Sequence, residues 1–331
     1  MTLALLLVRL LCSCTMGKIF DVFAQPELAA FLIQSETGKQ PDLSVLTEPA
    51  TTRATEPVTE PEPTTEPPEP VTMPDIPDDS YAFAPADTSY VEMNYSASRK
   101  PDIGGLLTQS LSWDLTGSQP SVLIYHTHGT EAFTPTQGNT YQEEGGEYRT
   151  TNTSYNMISL GEELARLLNE AGIRTVHDKT FYDYPDYLAS YDNARIGLQE
   201  QLDKYPSVKL VIDLHRDAAT YEDGTQWATE AIINGEKSAQ IMLVMGTDVY
   251  YTNPNWEQNL GVALKLNAVM EKVHAGATRP LDLRKQRFNQ DLRIGSVIVE
   301  IGAAGNTHEE AMNAVSVLAE AIILLSKGAN T

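Results

Sequence analysis

Apolar runs and segments of helical period alternate along the C-terminal two thirds of the chain. SVLIYH (121–126) predicts a short buried strand. Residues 153–171 place Met157, Leu160, Leu164, Leu167 and Leu168 at helical spacing, and Gly172 follows as a stop. IRTVHD (173–178) predicts a second strand, and 186–204 a helix with Tyr and Leu on one face. VKLVIDLH (208–215) reads as a buried strand. ATEAIING and EKSAQIMLVMG predict a hairpin that turns at Asn234-Gly235. A helix over 255–273, a strand at SVIVEIG (296–302) and a closing helix over 307–327 complete the series. Strands alternating with helices predict an α/β fold, with a mostly parallel twisted sheet and helices on both faces.

The pattern breaks down toward the N-terminus. The first seventeen residues, MTLALLLVRLLCSCTMG, are mostly apolar and interrupted only by Arg9. They are shorter than the ~20 residues a spanning helix needs and lack the basic start of a signal peptide. The expectation is an abbreviated signal or membrane anchor over 1–18, set against a buried or partner-binding helix. Leu11-Cys12-Ser13-Cys14 also loosely resembles a lipobox, with Cys14 as the lipidated residue. PELAAFLIQSE (26–36) is compatible with a short amphipathic helix. Residues 41–80 then hold ten of the chain's nineteen prolines, with TEP at 47–49, 55–57 and 59–61 and TTEPPEP at 64–70. Proline removes backbone donors and the Glu side chains repel one another, so this composition predicts a disordered linker. Forty residues at roughly 3.1 Å each reach on the order of 100 Å when extended. The predicted division is anchor 1–18, short helix and Pro/Glu/Thr-rich linker 19–81, and folded domain 82–331.

Charge narrows the class of partner. The 331 residues carry a formal net charge of -22, which argues against nucleic acid, because phosphate binding needs Lys and Arg. It argues equally against electrostatic docking on anionic lipid. Hydrophobic residues make up 41% of the chain, enough for a sizeable core. The two cysteines, Cys12 and Cys14, lie too close in sequence for a comfortable bridge. The folded part is therefore cysteine-free, which is compatible with an oxidising compartment.

Ligands of open α/β sheets gather at the carboxyl ends of strands, and three polar clusters fall there. They are His126-Thr127-His128-Gly129-Thr130-Glu131, then Asp213-Leu214-His215-Arg216-Asp217, then Glu300 with Gly302-Ala303-Ala304-Gly305 behind it. Three of the six histidines belong to these clusters. Hydrolytic zinc sites use three N/O ligands and leave a position for water; His128, Glu131 and His215 would supply the set. Glu300, in an otherwise apolar strand, is the candidate proton shuttle, since a carboxylate there is costly unless paired or functional. His126, Arg216 and Asn289 are candidates for contacting substrate. Taken singly, each cluster also has a structural explanation. Arg216 could neutralise Asp213 or Asp217, Glu300 could pair with Arg216, and Asn289 with Gln290 could form a turn.

IYHTHGTEAF, YNMISLGEELARLLNEAGI, VIDLHRDA, AQIMLVMG, FNQDL and VIVEIGAAGNTHEEA, in this order over residues 119–327, resemble the stage II sporulation protein P family. The resemblance implies an amidase-3-like zinc domain over 82–331. It implies hydrolysis of the N-acetylmuramoyl–L-alanine amide bond of peptidoglycan, with an endopeptidase activity on peptide crosslinks also in view. It places His128, His215 and Glu300 at the family's working positions. It implies a role in septal wall removal and engulfment during sporulation, from a single N-terminal anchor with the domain outside the membrane, beside stage II sporulation proteins D and M. One departure stands out. The stretch before the first helix, RTTNTSYNM, has no Glu, so the carboxylate ligand is expected to be Glu131 or a residue of the Glu143–Glu147 loop. His126 alternates with His128 and is expected on the same side of an extended strand, as a ligand neighbour or as an orienting group. The competing readings are a zinc carboxypeptidase or other metallopeptidase, and a non-catalytic wall-binding scaffold.

Overall fold

The structure, a computed structural model, describes residues 81–328 except 112 and 222. The anchor, the helix at 26–36 and the Pro/Glu-rich linker expected before residue 81 lie outside the described residues. No helix of the described residues is long and apolar enough to cross a membrane.

The strands are β1 (Met93–Tyr95), β2 (Val122–Tyr125), β3 (Thr175–His177), β4 (Leu210–Asp217), β5 (Glu230–Ile233), β6 (Glu236–Ala239), β7 (Ile241–Gly246), β8 (Leu281–Arg284) and β9 (Ser296–Ala303). The helices are α1 (Ile103–Thr108), α2 (Met157–Glu170), α3 (Ser190–Lys204), α4 (Trp256–Val273) and α5 (His308–Leu324). Seven strands form one sheet in the order β1-β8-β7-β9-β4-β2-β3, and β5-β6 is a separate hairpin. Every pairing in the main sheet is parallel except β7 with β9. The α/β fold with a mostly parallel sheet is therefore as the alternation predicts.

Period-two alternation sorts the strand residues onto two faces. Val122 and Ile124 of β2, Leu210, Ile212 and Leu214 of β4, and Val297, Val299 and Ile301 of β9 join the main core together with apolar residues of α2, α4 and α5. Leu123, Tyr125 and Val211 face the other way, against Ala194, Leu198 and Leu202 of α3. On that second face the alternation continues through Asp213 and His215 in β4 and through Ile298 and Glu300 in β9. The sheet is thus apolar on one side, and on the α3 side it changes from apolar to ionisable toward the strand ends.

The local signals account for most boundaries. Gly172, with φ 84°, ends α2, and Asn156 caps its start by accepting from Ile158 N. Thr307 and Glu310 form a reciprocal capping box on α5. The hairpin turns at Asn234 and Gly235, whose φ values are 53° and 87°, the positive pair of a two-residue hairpin loop. The predicted second arm, 236–246, is two strands: β6 ends at Ala239 and β7 begins at Ile241 in the main sheet. Edge strand β1 and its neighbour β8 are not announced by the sequence pattern.

Candidate active site

The β4–β9 register sets His215 opposite Glu300, so both project from the α3-side face as neighbours. His215 Nε2 lies 2.7 Å from Asp213 Oδ1 and its Nδ1 lies 3.6 Å from Glu131 Oε2. The Nε2 contact is close but poorly aligned, leaving that nitrogen without a hydrogen-bond partner. Asp213 is fixed in turn by Thr127, whose backbone N–H (2.8 Å) and hydroxyl (2.6 Å) both donate to it. Burial alone would depress the His215 imidazole; the Asp213 and Glu131 carboxylates reverse this and raise it well above its ordinary value.

Glu131 sits in a positive frame. It accepts from Arg216 N (3.2 Å), and Arg149 and Arg216 place guanidinium nitrogens 3.4 and 3.8 Å from its Oε1. Burial works against ionisation, but Arg216, His215 and Arg149 outweigh it and hold the carboxyl well below the usual carboxylate range. The competing loop carboxylates are engaged locally: Glu143 accepts from Tyr148 N, and Glu144 from Thr151 N and Oγ1.

His128 belongs to the turn that follows β2. Its ring stands edge-on to His215 at a 5.3 Å centroid distance, and Tyr187 stacks on it at 4.6 Å with an interplanar angle of 18°. Tyr191 meets it edge-on at 5.7 Å, and the Arg149 guanidinium covers the outer side of Tyr187. His128 Nδ1 is buried without a partner, and burial lowers the ring's pKa to about 3. Glu300 Oε2 is likewise buried and unpartnered. Burial dominates there too and raises the carboxyl to about 7, a value suited to taking up and releasing a proton near neutrality.

Three expected substrate contacts are placed elsewhere. His126 does not share a side with His128, because the extended strand ends at Tyr125 and the chain turns over 127–130. It keeps the parity of Val122 and Ile124 and points under α2. There Nδ1 meets Leu214 O at 2.9 Å and Nε2 meets His177 Nε2 at 2.8 Å. The pair presses on Gly161, where an added Cβ would lie 2.5 Å from His177 Nε2. Arg216 is fully buried and donates to the carbonyls of Ala132, Glu147 and Tyr148. It braces the Glu131 loop and neutralises neither Asp213 nor Asp217; Asp217 pairs with Arg279 at 2.8 Å. Asn289 donates to Tyr191 O at 2.9 Å and accepts from Arg195, while Gln290 bonds Gly246 N and Val244 O. The FNQDL segment is a turn, with φ 51° at Phe288 and 59° at Asn289, and it holds Tyr191 against His128.

Arg149, Tyr187 and Tyr191 escaped the sequence reading. Tyr187 and Tyr191 are spaced four residues apart, one turn along the chain entering α3, which was the available signal. Nothing local marks Arg149, which reaches the site from a loop.

Among the described residues no three His, Cys, Asp or Glu side chains stand close enough together to hold a metal ion. The donor chemistry fits zinc all the same: the buried His128 imidazole has a nitrogen without a hydrogen-bond partner, and the Nδ1 side of His215, whose Nε2 faces Asp213, turns toward the Glu131 carboxylate that its neighbours keep ionised.

The sequence model of Stage II sporulation protein P (SpoIIP) matches residues 34–323. Stage II sporulation protein P of Bacillus subtilis (strain 168) is 27% identical over 216 residues, covering 62% of this chain and 51% of that protein. The chain thus aligns with about half the length of this relative. Among solved structures, N-acetylmuramoyl-L-alanine amidase AmiC2 of Nostoc punctiforme is similar at 12% identity and TM-score 0.37, covering 62% of this chain and 95% of that one. The amidase Ami1 of Mycobacterium smegmatis is similar at 13% identity and TM-score 0.38, covering 64% and 99%. Likeness at such TM-scores carries no argument about chemistry. The family match rests on sequence and spans most of the chain: this protein belongs to the stage II sporulation protein P family.

Proposed function

We propose that this chain is a zinc-dependent peptidoglycan hydrolase that cleaves the amide between N-acetylmuramic acid and L-alanine during sporulation. The observation that carries the proposal is the convergence, on one sheet face, of His215 and Glu300 with Glu131 and His128. Family membership gives the biological setting. His128, Glu131 and His215 would hold zinc, and His215 must first release the proton that Asp213 and Glu131 stabilise on it. Zinc, when bound, supplies a Lewis acid for the scissile carbonyl and for water. Glu300 takes the proton from the attacking water and delivers it to the departing amine nitrogen. Asp213 orients His215, and the Arg149–Tyr187 stack shields His128 from solvent.

The setting we propose is the outer face of a membrane, held by a single N-terminal anchor, with stage II sporulation proteins D and M as neighbours. Cleavage of peptide crosslinks is a second activity open to the same groups. Two measurements separate the amidase from a metallopeptidase and from an inert scaffold. Zinc content should approach one equivalent, and hydrolysis should require the sugar-linked amide. Release of amino acids from sugar-free peptides favours the metallopeptidase, and zinc-free protein without turnover favours the scaffold. If residues 41–80 act as a spacer, deleting them should leave the thermal midpoint and the turnover of soluble muropeptides unchanged while activity in cells falls. A lowered midpoint in calorimetry would contradict the spacer role.

A further inference from the structure

Helix α3 lays one stripe of side chains on the sheet. Leu202, Leu198 and Ala194 pack against Leu123, Tyr125 and Val211, on the sheet face that carries the candidate site. Tyr191 stands three residues before Ala194 and seven before Leu198, so it extends that stripe by one turn. A short connection over 205–209 turns the chain back from α3 into β4, so helix and strand run in opposite directions. The stripe that starts at Leu202 near the beginning of β4 therefore reaches, at Tyr191, the strand end that presents Asp213 and His215. Glu300 lies beside His215 on β9. The surroundings of the phenol agree with this placement. Its ring meets His128 edge-on at 5.7 Å. Burial first, then the Asp213 and Glu300 carboxylates, push the hydroxyl well above its ordinary pKa. The residue is braced from behind: Asn289 donates to its carbonyl at 2.9 Å, and the Phe288 ring lies 5.9 Å from its own.

Amide hydrolysis by the groups already described leaves one charge unattended. As the water oxygen bonds to the carbonyl carbon, Glu300 takes the proton and the C=O electron pair moves onto the carbonyl oxygen. A fixed donor aimed at that oxygen is commonly the largest electrostatic contribution to such a reaction. The other donors about the site are committed. Arg216 is spent on the carbonyls of Ala132, Glu147 and Tyr148, and Arg149 on Glu131 and Asp183. His128 and His215 are the candidate zinc ligands. Tyr125 is buried on the strand beneath, against Asp213. Tyr191 is only half-buried, and its phenol, neutral at any working pH, can donate without carrying a charge into the site.

We infer that Tyr191 is a further catalytic residue, its hydroxyl donating a hydrogen bond to the oxyanion that forms from the scissile carbonyl. The role rests on the proposed amide hydrolysis. No proton leaves the phenol. The O–H bond donates while negative charge sits on the carbonyl oxygen. The hydrogen bond weakens when the C=O bond re-forms, the C–N bond breaks and the amine takes the proton held by Glu300.

The test is Tyr191→Phe in the full chain, which removes the hydroxyl and keeps the ring against His128 and Phe288. Turnover of a soluble N-acetylmuramoyl-tetrapeptide should fall by roughly 10²-fold, as it does when one oxyanion donor is removed elsewhere, with KM unchanged. Affinity for the same compound carrying a tetrahedral phosphinate in place of the scissile amide should fall by a similar factor, because only the tetrahedral form presents the charged oxygen. Zinc content and thermal midpoint should stay at wild-type values, which a merely structural role for the hydroxyl would not allow alongside lost turnover. Wild-type kcat in Tyr191→Phe, a loss confined to KM, or zinc lost in proportion to activity would each overturn the inference. The two readings fail differently. A zinc-loaded wild type that cleaves no sugar-linked amide sinks the proposed function and this role with it. An active wild type matched by an equally active Tyr191→Phe removes the role alone.

Discussion

Replacing His128 or His215 with alanine should strip most of the zinc from the purified chain and abolish nearly all hydrolysis. Changes to groups that merely support a metal ligand cost about 10–100-fold in affinity, and removal of a ligand should exceed that. The two variants differ in their other consequences. His215 lies between Asp213 and Glu131, so its loss leaves two buried carboxylates without their shared partner and should also lower stability. His128 is held by ring contacts with Tyr187 and Tyr191 and burial keeps it neutral, so its removal leaves a cavity rather than an uncompensated charge. Zinc uptake by wild type should release a proton as His215 gives up its own, giving tighter binding as pH rises. Elemental analysis decides the matter: one full equivalent of zinc in both variants would remove these histidines from the metal site.

Glu300→Gln should separate proton transfer from metal binding. The amide keeps the shape but cannot exchange a proton at neutral pH, so turnover should fall by roughly 10²–10⁴-fold while zinc content and fold persist. The carboxyl's raised value of about 7 adds a second signature. A carboxyl raised on folding contributes stability that is full below its unfolded value, near 4.5, and is lost as pH climbs through about 7. In the metal-free protein, wild type should therefore lose stability relative to Glu300→Gln across that window. Glu131→Gln should behave in the opposite sense on both counts. It should hold zinc weakly, and it should forfeit stability at neutral pH, because Arg216, His215 and Arg149 hold that carboxyl ionised. Zinc lost from Glu300→Gln but kept by Glu131→Gln would exchange the two roles. Full activity in Glu300→Gln would make the carboxylate structural and direct attention to Asp217.

The site was legible wherever strand alternation controls side-chain direction. VKLVIDLH and SVIVEIG fix the parity of Asp213, His215 and Glu300, and parallel pairing of the two strands then makes neighbours of His215 and Glu300. Alternation does not carry through His126 and His128. The strand ends at Tyr125, and the chain turns over 127–130 and sends the two rings to opposite sides of the sheet. The partners of Arg216 are backbone carbonyls of a loop distant in sequence, which residue type and spacing do not encode. Strands β1 and β8 are short, and unlike β2 and β3 they are not flanked by a long amphipathic helix whose pattern brackets them. The division of 236–246 at Gln240 depends on β7 pairing with β9, a contact that no local pattern contains.

The proposed activity comes down to one bond. Purified sacculi digested with the zinc-loaded chain, then analysed by mass spectrometry and end-group labelling, report which bond is cut. The account predicts stem peptides with a new amino-terminal L-alanine and glycan strands bearing free lactyl carboxyls, both absent when the Glu300→Gln chain is used. Intact sugar–peptide linkages after digestion with fully zinc-loaded wild type would contradict it.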